Sequence, residues 1–199
     1  GGVINLHKNE VIVSNLIANS EWFSGSMNGK YNLEDINQTS GILVIDNYEY
    51  QAEGGRSLTV HELSAEVKNN KDAPSIIINT NIEYQDIILS DIQMNGRLKD
   101  KIVILDSSFM KINGEGVRLA GNIDLKNYMW EASIILDSFN LMEKTVLSGI
   151  VRVYSPYLFK EITGAIELEN SIIDSIMISS ISGNFRYNDG FFDSEKITF

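Results

Sequence analysis

Apolar and polar residues alternate along nearly the whole chain, and a period of two is the pattern that a helix cannot use. On a helix it scatters apolar side chains around the axis, whereas on a strand it gathers them onto one face. The cleanest stretches are Leu119 to Leu125, Leu147 to Val153, Ile162 to Leu168 and Ile181 to Tyr187. Turn signals separate the strands at Gly54-Gly55, Asn69-Asn70-Lys71, Leu98-Lys99-Asp100-Lys101, Lys126-Asn127 and Asn188-Asp189-Gly190. The segment Leu58 to Lys68 holds good helix formers, but Leu63, Ala65 and Val67 alternate, so it also reads as strand. Pro156 to Lys160 is expected to form a helical turn.

With 43% hydrophobic residues the chain can bury a core, and its 2 prolines leave few interruptions to strand pairing. Isoleucine dominates the apolar set, and its branched β-carbon favours strands. The expected fold is all-β: an elongated, strongly curved, mainly antiparallel sheet of a dozen or more strands with little or no helix. At about 4.8 Å per strand, a sheet of roughly 14 strands would extend on the order of 65 Å. No linker-like shift in composition divides the chain, so residues 1–199 read as one continuous repetitive β segment. The opening Gly1-Gly2-Val3 and the closing Ile197-Thr198-Phe199 read as cut points in a longer polypeptide.

A motif of apolar, any, Gly, any, apolar, any, apolar recurs along the chain. Its copies are Met27-Asn28-Gly29-Lys30-Tyr31-Asn32-Leu33, Leu119-Ala120-Gly121-Asn122-Ile123-Asp124-Leu125 and Leu147-Ser148-Gly149-Ile150-Val151-Arg152-Val153. Two more are Ile162-Thr163-Gly164-Ala165-Ile166-Glu167-Leu168 and Ile181-Ser182-Gly183-Asn184-Phe185-Arg186-Tyr187, with a partial copy at Met94-Asn95-Gly96-Arg97-Leu98. The glycine spacing is irregular, which argues against a solenoid of fixed rung length. Glycine inside a strand marks a bulge, a bend or a close approach. Here each falls in register with the apolar residues, where a missing side chain would let a sheet curl around an interior. The competing reading, a hairpin turn, applies to Asn28-Gly29, Asn95-Gly96 and Asn113-Gly114.

Alternation therefore assigns Met27, Gly29, Tyr31 and Leu33 to an inner face, together with Leu119, Gly121, Ile123 and Leu125. The same face takes Leu147, Gly149, Val151 and Val153, then Ile162, Gly164, Ile166 and Leu168, then Ile181, Gly183, Phe185 and Tyr187. Asn122, Asp124, Arg152, Glu167, Asn184 and Arg186 are expected on the outer face.

The formal charge of −11 and the scatter of the 16 basic residues argue against a nucleic-acid partner, which needs Lys and Arg gathered on one surface. Cysteine is absent and the only histidines are His7 and His61, so no thiolate metal site exists and neither histidine sits in a nucleophile motif. Both read as surface strand residues. No phosphate-binding loop or calcium loop is present, and no apolar run reaches the 18 to 20 residues or so of a membrane-spanning helix. Asp124, Glu167 and Glu169 could pair for glycoside chemistry, but they fall on the polar side of their strands, where a solvated face explains them. The reading is of a protein with no enzymatic role and no cofactor.

The Gly-centred strands, the opening Gly1-Gly2-Val3-Ile4-Asn5-Leu6, the segment Glu10-Val11-Ile12-Val13-Ser14-Asn15-Leu16 and Leu58 to Val67 resemble the TamB-like proteins of the wider AsmA-like group. These are long bacterial envelope proteins with extended repetitive β-structure. The resemblance covers most of the chain. It implies a taco-shaped groove lined by the inner-face residues, carrying phospholipid acyl chains between two membranes and supporting outer-membrane assembly. It also implies a periplasmic location, an inner-membrane anchor outside this segment and an outer-membrane partner protein. The rival is a β-repeat scaffold or adhesin whose core is closed by its own side chains. Gly-notched apolar strands without converging polar groups fit acyl chains bound in rows with no head-group selection.

Overall fold

The computed structural model describes residues 1–51, 57–70, 73–156, 161–188 and 191–198, without the side chains at 36, 107, 192, 195 and 196. Of the turn expected over Pro156 to Lys160, residues 157–160 lie outside the described residues, as do the turn residues Gly54, Gly55, Lys71, Asp189 and Gly190. The strands are β1 (Val3–His7), β2 (Glu10–Asn19), β3 (Phe23–Asn32), β4 (Ser40–Gln51), β5 (Ser57–Lys68), β6 (Ser75–Tyr84) and β7 (Ile87–Lys99). They continue as β8 (Ile102–Ile112), β9 (Glu115–Asp124), β10 (Met129–Met142), β11 (Thr145–Ser155), β12 (Glu161–Ile173), β13 (Ile176–Asn188) and β14 (Phe191–Thr198). A single 3-10 turn, Ile36–Gln38, is the helical element among the described residues. The fold is therefore all-β, and Leu58 to Lys68 is strand as the alternation required.

The strands form a 14-stranded sheet whose order follows the sequence, so each strand pairs with its neighbours in the chain. By contact density the chain divides into a first unit, Gly1–Asp100 with Ser108–Gly114, and a second, Lys101–Ser107 with Glu115–Phe199. Short turns make the hairpins. Asn113 and Gly114 both have positive φ, 48° and 91°, as a two-residue type I′ turn demands. Asp100 and Lys101 turn the chain between β7 and β8 with φ of 51° and 66°.

The other Asn-Gly pairs are not turns. Gly29 lies inside β3, opposite Val13 on one side and Gly41 on the other, and Gly96 lies inside β7 opposite Ile76. The motif's last residue leaves the strand in two copies: β3 ends at Asn32 and β9 at Asp124, which puts Leu33 in a bend and Leu125 in a turn. At the second of these, Asp124 closes the chain on itself. Its Oδ1 accepts from the backbone N–H groups of Lys126 (2.8 Å) and Asn127 (3.0 Å), and its Oδ2 accepts from the Asn127 side chain (2.7 Å).

Asn15, Glu62, Asp91, Ser138 and Asn170 have φ between 49° and 55° in mid-strand, at or beside shifts in the strand register. Each adds a residue to its strand, and the added residue keeps the apolar face in phase. Val13 and Leu16 stand three apart across Asn15 and yet face the same way, opposite Gly29 and Met27. Leu136 and Phe139 do the same across Ser138, opposite Gly149 and Leu147. A one-residue slip without a bulge would turn every later side chain to the opposite face.

Candidate functional site

In the second unit the register sets the candidate side chains in transverse rows. Leu119, Ile134, Val151, Ile166 and Gly183 succeed one another from β9 to β13, and so do Gly121, Ala132, Val153, Gly164 and Phe185. Leu136, Gly149, Leu168 and Ile181 make a third row, Ile162 stands opposite Tyr187, and Ile123 opposite Trp130. In the first unit, Met27 faces Leu16 and Leu43, and Tyr31 faces Val11. The alternation in sequence thus becomes one apolar face in each unit.

That face is unevenly covered. The buried apolar side chains Val13, Ile92 and Leu98 in the first unit, and Val117, Leu136, Phe139, Leu168 and Ile181 in the second, all belong to it. They concentrate near the bulges: Ile92 follows Asp91, and Leu136 and Phe139 flank Ser138. Away from the bulges the face opens, with Met27 41%, Tyr31 44%, Ile123 37% and Tyr187 39% exposed. Leu33 and Leu125, beyond the strand ends, are also exposed.

Small polar groups repair the ladder where the bulges break it. The Asn28 Oδ1 accepts from the Asn15 N–H (2.6 Å), the Asn81 Oδ1 from the Asp91 N–H (2.9 Å) and the Ser148 Oγ from the Ser138 N–H (3.2 Å). Buried Thr80 and Ser171 serve the same level: Thr80 Oγ1 donates to the His61 carbonyl (3.3 Å), and Ser171 Oγ accepts from the Ser148 N–H (3.2 Å). Left without partners, such buried groups would cost about 1–3 kcal/mol each.

The motif glycines sit where neighbouring backbones come close, one of the roles a glycine inside a strand can mark. A Cβ on Gly29 would come within 2.8 Å of the Gly41 Cα, and one on Gly121 or Gly149 would overlap the carbonyl of Glu131 or Glu167 on the adjacent strand. They permit close strand approach. At Gly164 the space over the missing side chain holds the Phe185 ring, so that notch is filled from within.

The opposite face is polar. Asn122, Arg152, Glu167, Asn184 and Arg186 lie on it, in register with Glu131, Ala165, Ile150 and Thr163. Arg152 pairs with Glu167 at 2.7 Å and Arg186 with Glu161 at 3.0 Å, both diagonally across β-pairs. In the first unit Lys30 reaches Glu10 at 2.7 Å, and His61 lies 3.6 Å from Glu83. Isoleucines interrupt this face at Ile42, Ile77, Ile135 and Ile150. A depression of about 930 Å³ crosses it in the second unit, over Gly121 and Gly164. Among the described residues, no three His, Asp or Glu side chains gather as a metal ion would require, and no helix is long and apolar enough to cross a membrane. Hydrogen bonds from Asn127, and then from the Lys126 N–H, hold the Asp124 carboxyl below the usual carboxylate range.

No protein-family model, no curated protein and no solved structure matches this chain.

Proposed function

We propose that the apolar face is a lipid-binding surface, and that the chain is a non-enzymatic segment of a lipid-carrying bridge in a bacterial envelope. The supporting observation is the register. Leu119, Ile134, Val151, Ile166 and Gly183 form a strand-to-strand row free of charged groups, while Ile123, two rows along on the same face, is left partly open. An acyl chain laid on such a surface gains about 25 cal/mol for each Å² it covers, several kcal/mol in all, and meets no fixed donor that would select a head group. Weak selection permits sliding. On this reading the carrier works in the periplasm, with its inner-membrane anchor and outer-membrane partner supplied outside the segment.

A second reading is a closed-core scaffold with no ligand, favoured by the Phe185 ring that occupies the space over Gly164. Native mass spectrometry of protein purified from membranes separates the two. The lipid reading expects phospholipid adducts of mixed head groups that survive dilution; well-folded protein free of lipid would leave the scaffold reading standing.

A further inference from the structure

We propose that the depression on the polar face of the second unit is a binding site for a neutral, hydroxyl-rich chain, an oligosaccharide. This inference is independent of the lipid reading, since it concerns the other side of the sheet. Its floor is small: Ala120, Ser133 and Ala165 lie on this face, and Gly121 and Gly164 let the strands approach beneath them. Taller polar side chains stand around that floor, and Ile104 and Leu105 add apolar surface to the lining.

Two guanidinium groups, Arg152 and Arg186, and two carboxylates, Glu131 and Glu161, line the depression, so their formal charges cancel. The cations are already engaged by Glu167 and Glu161, and Glu131 accepts a hydrogen bond from the Asn122 amide. A charged ligand would have to break these pairs. A sugar would not, because each hydroxyl can donate to a carboxylate and accept from a guanidinium or amide edge. Mutual pairing also holds the planar groups in place, which reduces the entropy lost on binding. Tyr154, 42% exposed on the same face, adds an aromatic surface for the apolar side of a sugar ring.

The first unit repeats the plan on a smaller scale. There a depression of about 570 Å³ lies over Gly29 and Gly41, flanked by Asn28 and by the Lys68–Glu66 pair at 2.9 Å.

The test is an NMR titration of the isotope-labelled chain with chitotetraose, cellotetraose and maltotetraose. Saturable shifts at the Asn122, Arg152 and Ala165 amides with at least one of them, and none at Ile92 or Leu136, are the expected result. Tyr154→Ala removes the platform, and Ala165→Leu fills the floor while leaving every charge in place. Each should weaken binding at least tenfold in protein whose spectrum stays dispersed, and a folded Ala165→Leu protein that binds undiminished would overturn the assignment. So would the absence of shifts with all three sugars at millimolar concentration, or tighter binding of a sulfated tetrasaccharide than of any neutral one.

Discussion

Ile92 shows how much one position can carry in a sheet with few fully buried side chains. It is 2% exposed, stands opposite Thr80 and follows the bulge at Asp91, so its truncation leaves a cavity beside an already irregular ladder. Ile92→Ala should cost about 2–5 kcal/mol in urea unfolding. Asn15 carries a different constraint, since its φ of 49° suits Asn or Gly and strains a β-branched residue. Asn15→Gly should be tolerated, whereas Asn15→Val should lower stability by about 1–3 kcal/mol and broaden the amide signals of β2 and β3. Asp124 gives a pH dependence with a definite sign. Because folding depresses its pKa, the contribution is complete above the unfolded value and is lost as pH falls through the lower folded value. Amide protection at Lys126 and Asn127, measured against the intrinsic exchange rate at each pH, should therefore fall on the acid side of the usual carboxylate range, and Asp124→Asn should reduce that dependence.

At the scale of the strand, period two was legible because Ile, Leu and Val alternate with polar residues over spans that match real strands, such as Leu147 to Val153 within β11. In the paired strands the residues around Gly121, Gly149, Gly164 and Gly183 share one face with their partners. The bulges were missed although they leave a trace. Val13-Ser14-Asn15-Leu16, Leu136-Asp137-Ser138-Phe139 and Leu89-Ser90-Asp91-Ile92 each stretch the period from two to three across a polar pair. Read as noise in the alternation, that slip is invisible; read as an added αL residue, it predicts the bulge. Asn28-Gly29 was ambiguous for a related reason. An Asn that caps a neighbouring bulge and an Asn that opens a hairpin are the same residue in sequence, and only the partner strand tells them apart. The depression on the polar face leaves no mark in the alternation, because its lining comes from separate strands that only pairing brings together.

Across the whole chain, sequential hairpins bring neighbours in sequence together and let each unit divide its chemistry between two faces. Apolar rows carry the proposed lipid function, and the diagonal ion pairs opposite them keep the other face solvated, each worth up to about 1 kcal/mol. Replacing both Ile123 and Ile166 with Asp distinguishes a lipid surface from a closed core. On the partly open face, the double variant should stay folded and lose its bound lipid; in a packed core, each buried carboxylate would cost several kcal/mol and unfold the second unit. The most direct test is photocrosslinking in membranes from a reactive residue placed singly at Ile123, Ile166, Asn122 or Glu167. The account predicts phospholipid adducts from Ile123 and Ile166 and none from Asn122 or Glu167. Equal labelling of all four positions, or labelling confined to the polar face, would contradict it.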